Sequence, residues 1–391
     1  MVKKSLLTLT LGGLGIGMAE FMMMGVLPDV ARTLTITIPE AGHLISMYAL
    51  GVVIGAPLMV GIAASYPPRK VLIVLMLLFA FFNTMFAIAP NYELLLVARL
   101  FSGLPHGAFF GIGAVVASRL ADPGREARSV SVMFAGLTIA NIAAVPIGTA
   151  IGHHLSWRIS FAIVGLLALA AAGSIKRWMP ELKATSSGSF MENVKAFGKP
   201  EPWIIIGISA IGTGGLFAWI SYIAPLMTEV GRFSADFVPV IMIIAGVGMA
   251  VGNFLGGRLA DRFSPLLTTA MLLVAMIGAL IIVSYVTQFQ AAAIIMTFIT
   301  GALAFAVIAP MQMLMINAAK GSEMLASASL QASANMGNAL GAYLGGLPIA
   351  AGYGYTSPEY VGAGLAFVGV LFCVILAWRA NSQKKMQPYS A

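Results

Sequence analysis

The chain has 391 residues, of which 59% are hydrophobic and only 9% are charged, and its formal net charge is +8. Soluble domains carry about 25% charged residues, so these proportions exclude a large soluble protein and indicate an integral membrane protein. The positive charge does not indicate a nucleic-acid partner, because the basic residues lie mainly between long apolar runs, where anionic lipid headgroups are their natural partner.

Twelve apolar runs are long enough to cross a bilayer as helices, which takes about 20 residues each. A barrel is excluded because its strands would alternate in polarity over about ten residues. The first run is longer than the apolar core of a signal peptide, so we interpret it as a retained span. The runs cover residues 6–27, 42–64, 71–90, 93–118, 128–151, 158–179, 203–227, 236–259, 266–287, 290–316, 324–350 and 359–379.

Basic residues are distributed unequally between the two ends of these spans. With the N-terminus inside, 18 of the 22 lysines and arginines lie on the cytoplasmic side, and the exceptions are Arg32, Arg99, Arg158 and Arg232. The positive-inside rule therefore predicts that both termini are cytoplasmic.

The two halves of the chain resemble each other. Matching residues recur at an offset of 196 or 197, and the longest polar segment divides the twelve runs into six and six. The sequence predicts an all-α membrane protein of two six-helix repeats, residues 1–180 and 203–391, joined by a cytoplasmic linker, 181–202. Chance matches between glycine-rich helices are the alternative for the offsets alone. The matching pairs are Pro28 and Pro225, Gly61 and Gly257, Asn141 and Asn338, and Gly148 and Gly345.

Glu20 is the acidic residue that we expect well inside a span. A charged acid at the bilayer centre costs about 2.5–3.5 kcal/mol on insertion scales, so it must face water, pair with a cation or stay protonated. Arg99 on the fourth span is expected at the same depth, and His106 follows seven residues later. These three residues form a candidate proton-coupling site. The alternatives are a structural ion pair between Glu20 and Arg99, and a His106 bonded to a backbone carbonyl.

Six stretches of the chain carry a family resemblance: "GMAEFMMMGVL" (17–27), "AGHLISMYALGVVIGAP" (41–57), "RLFSGLPHGAFFGIGAVV" (99–116), "VPIGTAIGHHLSWRISF" (145–161), "FAWISY" (217–222) and "GRLADRFSPL" (257–266). They resemble the major facilitator superfamily, specifically its drug:proton antiporter branch. The resemblance implies the fold of that family, alternating access, and proton-coupled efflux of small amphipathic or sugar-like molecules. It implies no cofactor beyond the coupling proton, a monomer, and a bacterial inner membrane. It also links Arg99 to proton transfer.

The same resemblance implies a gate motif after the second span, where a glycine permits close packing and charges latch the cytoplasmic gate. The first copy is degraded, because Ser65 and Tyr66 replace the acid and the first base, while the second copy is better preserved. An ordinary charged turn that fixes topology is the alternative. The gate residues are Gly61, Arg69, Lys70, Gly257, Asp261 and Arg262.

The fifth span matches the glycine- and proline-rich signature of the family's antiporters, at Gly136, Pro146, Gly148 and Gly152. Small residues let helices approach closely, and a proline frees a carbonyl and bends the helix. Ordinary helix packing is an equally good interpretation of these residues. The resemblance implies that this signature takes part in exchange.

Polar and aromatic residues on several spans are candidates for the wall of a central substrate cavity. Amide side chains recur on one face of the eleventh span, although hydrogen bonds between helices explain such a stripe about as well. The candidates are Asn141, Phe217, Trp219, Tyr222, Gln312, Gln331, Asn335 and Asn338.

Other classes of protein have weaker support. A membrane-embedded enzyme would need a nucleophile with a base or a metal cluster, and His153 and His154 have no third ligand nearby in sequence. No phosphate-binding loop of the P-loop type is present, so we expect no ATP-driven transport. A channel is disfavoured by two-fold repetition without a filter. Proton-coupled uptake is the nearer alternative, and the direction of flux in intact cells distinguishes it from export.

The predicted orientation can be tested by labelling. Cysteines introduced at Thr185 and Lys384 should resist an impermeant reagent added outside, because both positions are expected in the cytoplasm. Cysteines at Glu40 and Glu359 should react, because both are expected outside. Labelling of the linker from outside the cell would contradict the whole arrangement.

Overall fold

The computed structural model describes residues 3–63, 66–123, 126–183, 196–319 and 323–386. Within these ranges the secondary structure is helical and contains no strand, which confirms the all-α prediction. The described residues up to 183 are called the N-terminal half, and those from 196 the C-terminal half. The division into two repeats at residues 180 and 203 stays a prediction.

The N-terminal half contains eight α-helices, two of them separated by the π-helical turn Ala140–Ala144. The chain reverses at Ser156, whose backbone is extended and whose hydroxyl caps the following helix. The helices are α1 (Lys4–Gly25), α2 (Leu27–Leu34), α3 (Ile38–Ala63), α4 (Pro68–Ile88), α5 (Tyr92–Arg119), α6 (Glu126–Ile139), α7 (Val145–Ile151) and α8 (Trp157–Trp178).

The C-terminal half contains nine α-helices, and π-helical turns at Ile208–Gly212 and Leu226–Val230 interrupt its first span. The helices are α9 (Pro200–Gly207), α10 (Gly214–Ser221), α11 (Ile223–Pro225), α12 (Val238–Phe263), α13 (Pro265–Val286), α14 (Gln290–Ala306), α15 (Ile308–Ala318), α16 (Glu323–Ala350) and α17 (Ser357–Met386).

Ten helical segments within the described ranges are long and apolar enough to cross a membrane. One of them, Ser129–Trp178, has 50 residues, and the reversal at Ser156 divides it into two passages. The remaining predicted span is α16, a helix of 28 residues that carries several amide and hydroxyl side chains. These segments together account for the twelve predicted spans.

The outer surface of the bundle is apolar. Large hydrophobic side chains such as Ile62, Leu166 and Phe254 are each more than 60% exposed. In water this surface would be unfavourable, but hydrocarbon solvates it, while helices satisfy their own backbone hydrogen bonds. Most spans are therefore hydrophobic both on the face that packs inside the bundle and on the face that contacts lipid.

Glycines bring equivalent pairs of helices into close contact in the two halves. A Cβ at Gly55 of α3 would overlap the backbone of Leu104 in α5, and a Cβ at Gly252 of α12 would overlap the backbone of Ala302 in α14. Gly55 and Gly252 are 197 residues apart, which matches the offset of the sequence repeat. Small residues at such crossings let backbones approach without a side chain between them.

The two halves are in contact at one end of the bundle. We call the end at which α3, α5, α8, α12, α14 and α17 begin the outer end, following the orientation that the basic residues predict. There, the His43 and Tyr343 rings lie 5.7 Å apart, and the Ser46 hydroxyl donates to the Ala339 carbonyl at 3.1 Å. Both contacts join α3 to α16, so the structure is closed at its outer end.

At the cytoplasmic end, the described ion pairs join residues of the same half. Lys3 pairs with Asp122 at 2.7 Å, and Arg379 pairs with Glu201 at 3.6 Å. None of the described ion pairs at this end crosses between the halves. The arrangement is that of a bundle held together from its outer end.

Glu359 differs from the prediction that it is accessible from outside. It lies in the first turn of α17 with 1% of its surface exposed, because neighbouring helices cover that turn. The prediction that it would react is therefore wrong, and Tyr353 in the preceding loop, which is 76% exposed, is the suitable outer position.

The close contact between α12 and α14 predicts a steric penalty. Gly252→Ala should lower the melting temperature in detergent by several degrees, because overpacking against a backbone costs about 1–3 kcal/mol. The matched control is Gly278→Ala, where an added Cβ meets no atom within 4 Å. The thermal unfolding of both variants is followed by light scattering or by a fluorescence signal that does not depend on a thiol-reactive dye. Equal stability of the two variants would contradict the close packing.

Candidate functional site

Glu20 is buried where the two halves meet. It lies in α1 with 6% of its surface exposed, and its Oε1 accepts a hydrogen bond from Asn338 Nδ2 at 3.2 Å. Asn338 belongs to α16, so this bond crosses between the N-terminal and C-terminal halves. An acidic side chain therefore forms part of the contact that a change in access would have to break.

Arg99 lies beside Glu20 but is bound mainly to the backbone. Its side chain is fully buried, and it donates from Nε to the Leu44 carbonyl and from Nη1 to the Ala19 carbonyl, both at 3.1 Å. Its Nη2 has no hydrogen-bond partner among the described residues. The guanidinium thus connects α5 to both α1 and α3 while one donor remains unused.

Aromatic rings surround the Arg99 guanidinium. Its carbon atom lies 4.2 Å from the Tyr48 ring centroid, and 5.5 and 5.6 Å from those of Phe86 and Phe161. Cation–π contacts of this kind stabilise a desolvated cation. The rings compensate part of the cost of burying a charge without a bound carboxylate.

Glu20 and Arg99 do not form the ion pair that the sequence left open as an alternative. Both residues are described, and no nitrogen of Arg99 comes within 4.0 Å of a carboxylate oxygen of Glu20. Arg99 instead binds the carbonyl of Ala19, the residue immediately before Glu20. The predicted equal depth of the two side chains is met, with the charges adjacent and unpaired.

Tyr48 connects Arg99 to His106. Its ring contacts the guanidinium, and its hydroxyl lies 3.1 Å from His106 Nδ1. His106 is 1% exposed, and its Nε2 has no hydrogen-bond partner within the described part of the chain. The structure therefore brings together the three residues of the predicted coupling site and adds Tyr48 between two of them. The His106 partner is a side chain, not the backbone carbonyl of the alternative interpretation.

Sequence reasoning missed Tyr48 as a member of this site. A signal was present, because Tyr48, Gly51 and Gly55 are spaced i, i+3 and i+7 and so share one face of α3. The glycines mark the face that packs closely against α5. A polar aromatic residue on that face is directed towards the helix that carries Arg99 and His106.

The gate residues of the second copy are not engaged in this structure. Asp261 is exposed and has no ion-pair partner among the described residues, and Arg262 lies over the ring of its neighbour Phe263 at 5.3 Å. A Cβ at Gly61 would meet nothing within 4 Å, and one at Gly257 only Ala309 at 4.0 Å. There is open space around these two glycines, and the part of the motif in a gate at the cytoplasmic end stays a prediction.

In this conformation Arg69 is bound within the N-terminal half, and its part in a gate stays a prediction. It donates to the Lys176 carbonyl at the end of α8, and its Nη1 lies 3.5 Å from a carboxylate oxygen of Glu181. Both partners belong to the N-terminal half, and the neighbouring Lys70 is exposed. Arg69 therefore anchors the beginning of the linker to α4.

The predicted antiporter signature packs against the helix that carries Glu20. Added Cβ atoms at Gly136, Gly148 and Gly152 would overlap Thr10, Met22 and Val26 in turn, all on the α1 side. Pro146 lies in the first turn of α7, directly after the π-helical turn Ala140–Ala144. Close packing of α6 and α7 on α1 is what these residues do here, and their part in exchange stays a prediction.

Most of the candidate cavity amides donate to partners within their own half, although the buried Oδ1 of Asn335 has no partner among the described residues. Asn141 and Asn335 each donate to a backbone carbonyl four residues earlier, and Gln312 donates to the Ser327 hydroxyl at 3.1 Å. The carbonyl of Gln331 is the acceptor for Asn335. Among these candidates, Asn338 is the amide that reaches a charged side chain in the opposite half.

The aromatic candidates lie in closed parts of the structure. Phe217 is 8% exposed, Trp219 is fully buried, and Tyr222 is 1% exposed. The Tyr222 hydroxyl donates to the Ala342 carbonyl at 2.6 Å and lies against Gly42 of α3. Tyr222 therefore belongs to the outer closure, and neither it nor Trp219 faces an open cavity in this conformation.

The fold and the buried polar layer at the contact of its halves define a multi-pass membrane transporter. The sequence matches the model of the Major Facilitator Superfamily over residues 9–329. The chain belongs to this family. The fold predicted from its motifs is thereby confirmed.

Known proteins resemble this chain over nearly its whole length. AraJ of Escherichia coli (strain K12) is 38% identical over 369 residues, which is 94% of each chain. The Chloramphenicol resistance protein of Streptomyces lividans is 27% identical over 364 residues, which is 91% of each chain. A bacterial homologue of the human lysosomal transporter Spinster, solved in an inward-facing and unoccupied conformation, superposes with a TM-score of 0.67 at 16% identity, covering 95% of this chain and 94% of that one.

We expect mutations in the two copies of the gate motif to affect transport differently. Asp261→Asn should lower the transport rate several-fold and leave expression and melting temperature near wild type, because the exposed side chain loses no described ion pair. Ser65→Ala, at a position outside the described residues, should change little. Transport and thermal unfolding of both variants are measured in parallel. Equal transport by the two variants would contradict a gate role for Asp261.

Proposed function

We propose that this protein exports small amphipathic or sugar-like molecules in exchange for protons, and that Glu20 carries the proton. The observation that supports this most is the position of Glu20, buried at the contact between the halves and bound to Asn338. No cation lies within 4.0 Å of its carboxylate among the described residues. An acid in this position changes its environment whenever the halves move apart.

The closed environment favours the neutral form of Glu20. Burial penalises a carboxylate, and a single amide donor replaces only part of the lost hydration. Contact with water on one side of the membrane reverses this preference. Proton binding and release by Glu20 are thus coupled to the side to which the site is open.

Asn338 can bind Glu20 in either protonation state. Its Nδ2 donates to the carboxylate, and its buried Oδ1 has no hydrogen-bond partner among the described residues. A side-chain amide has donors and an acceptor, so Oδ1 is available to accept a hydrogen bond from the protonated acid after rotation of the amide. The contact between the halves therefore survives protonation, and the proton can remain on Glu20 during the transition.

The positive charge of Arg99 opposes the effect of burial on Glu20. Its fixed positive charge, held next to Ala19, favours the ionised carboxylate and so promotes release of the proton once water enters. Because Arg99 is tied to two backbone carbonyls and an aromatic ring, it stays in place when Glu20 changes charge. Tyr48 and His106 extend this polar layer into α3 and α5.

The direction of transport is inferred from relatives. The antiporter motifs of the sequence resemble an efflux branch of the family, and one relative is named a chloramphenicol resistance protein. Proton entry down its gradient through Glu20 would release energy for the outward movement of substrate. A small-molecule site between the halves fits alternating access, in which substrate and proton are exposed to one side at a time.

Glu20→Gln should abolish proton-driven export while substrate binding largely survives, because glutamine keeps the shape but fixes the neutral state. A thermal-shift screen of the purified protein against sugars, nucleosides and antibiotics selects the compound to be followed. Accumulation of that compound is then measured in proteoliposomes with an imposed pH gradient. The variant should accumulate no more than protein-free liposomes.

Glu40→Gln is the matched control, because Glu40 is an exposed acid at the outer end whose carboxylate, among the described residues, accepts hydrogen bonds from nearby Thr37. It should transport as wild type does. If Glu20→Gln still concentrates the compound like wild type, the coupling site lies elsewhere. If a pH gradient drives the compound in the direction of proton flow, the protein is an uptake symporter instead.

A further inference from the structure

A polar cluster at the outer end joins the two halves through His153. Its Nδ1 lies 3.2 Å from an oxygen of Asp29 in α2, and its Nε2 lies 3.4 Å from an oxygen of Asp236, just before α12. Asp29 belongs to the N-terminal half and Asp236 to the C-terminal half. His153 is therefore the central residue of a bridge across the outer closure.

The chemistry of the ring determines its charge in this bridge. Each ring nitrogen of His153 faces a carboxylate, and an ionised carboxylate can only accept hydrogen bonds. A neutral imidazole has one N–H and can donate to one of the two acids, leaving a lone pair against the other. The contact with Asp29 is a hydrogen bond and the contact with Asp236 has an ion-pair distance, so a charged ring is attracted to both acids while a neutral ring bonds to one.

The other charged groups near His153 do not place a competing partner between the ring and the two acids. From α2, Arg32 pairs with Asp29 at 2.6 Å, and from the same turn as His153, His154 lies 3.8 Å from Asp236. Arg158, in the first turn of α8, is directed away, to the carbonyls of Ala87 and Ala89.

Neither remaining neighbour offers a further acceptor to His153. Arg32 is itself a cation that shares Asp29, and the His154 side chain is 59% exposed. A metal ion is not indicated, because no group of three His, Cys, Asp or Glu within the described ranges is arranged to hold one.

We propose that His153 is a proton-operated latch of the outer closure, holding Asp29 and Asp236 together when it is charged. Opening of the outer end separates the two acids and lets the ring lose its proton to the outside. Histidine changes charge within about pH 5–8, so closure should be favoured at the acidic end of this range and should weaken as pH rises. The sign follows because the two acids lie against the charged ring only in the closed state, so proton binding and closure favour each other.

This latch is distinct from the proton site at Glu20. It rests on one part of the proposed function, namely that the outer end opens. It would make the external pH set how long the outer end stays open. Other outer contacts, such as Ser46 with Ala339 and Tyr222 against Gly42, do not involve the cluster. Loss of the latch should therefore shift the balance between conformations and leave the fold intact.

The test measures the separation of the halves directly. Spin labels are placed on cysteines at Glu93 and Tyr353, two exposed outer positions on opposite halves, in a chain whose buried native Cys373 is replaced by alanine. Distances are recorded in nanodiscs without substrate between about pH 5.5 and pH 8. In the otherwise native chain, the fraction with the long distance should rise several-fold with pH.

Two variants distinguish the latch from a general effect of pH. His153→Gln cannot be charged, so its long-distance fraction should be high and independent of pH. In Asp236→Asn, a neutral His153 donates from Nδ1 to Asp29 and accepts from the new amide at Nε2, so the outer end should remain closed at all pH values. His154→Gln removes the other imidazole near Asp236, at 3.8 Å; because His154 makes no described contact with Asp29, most of the native pH dependence should persist in this variant.

A pH-independent distance in the native chain, or a normal pH response in His153→Gln, would overturn the latch. The series is repeated with Glu20→Gln, where the pH response should persist. If Glu20→Gln removes the response, the titrating group is Glu20 and the latch is rejected. Failure of the proposed export would appear in the flux assay and would leave the distance measurements unchanged, so the two proposals fail separately.

Discussion

The hydrogen bond between Glu20 and Asn338 connects the acid of the candidate site to the opposite half of the bundle. It places an acid at the contact between two halves of a bundle whose outer surface is hydrocarbon-compatible, where an uncompensated charge is costly. The neighbouring elements hold α1 so that this contact can form. Arg99 binds the carbonyl before Glu20, and the glycines of α6 and α7 let those helices pack directly on α1.

Contacts between the halves combine close packing, as where a Cβ at Gly246 would overlap the backbone of Asn141, with polar contacts. Within each half, glycines bring backbones together along α3 and α5, and along α12 and α14, where no side chain separates the helices. Between the halves, the described polar contacts are few and distributed, as at Ser46 and His153. Partly exposed polar contacts contribute little stability each. The polar contacts between the halves therefore add specificity to the interface more than stability.

The depth of a polar residue along its helix could be predicted from the sequence, but the residues that it contacts could not. The rise of about 1.5 Å per residue places Glu20 and Arg99 at one depth, and the structure has them adjacent. The helical rise does not predict that Arg99 binds carbonyls and aromatic rings. The rotation of a helix about its axis decides which neighbour a side chain contacts. Glu359 shows the same limit, because a residue near a helix end is buried or exposed according to how neighbouring helices cover it.

By itself, the sequence determined the membrane location, the helical spans and the family, because apolar run length, charge asymmetry and short motifs are local properties of the chain. The tertiary structure alone decided which polar groups meet. The bridge from Asp29 through His153 to Asp236 joins residues more than 200 positions apart, and Glu20 and Asn338 are 318 positions apart. Contacts at such separations depend on how distant helices pack together, and no local pattern of residues encodes that packing.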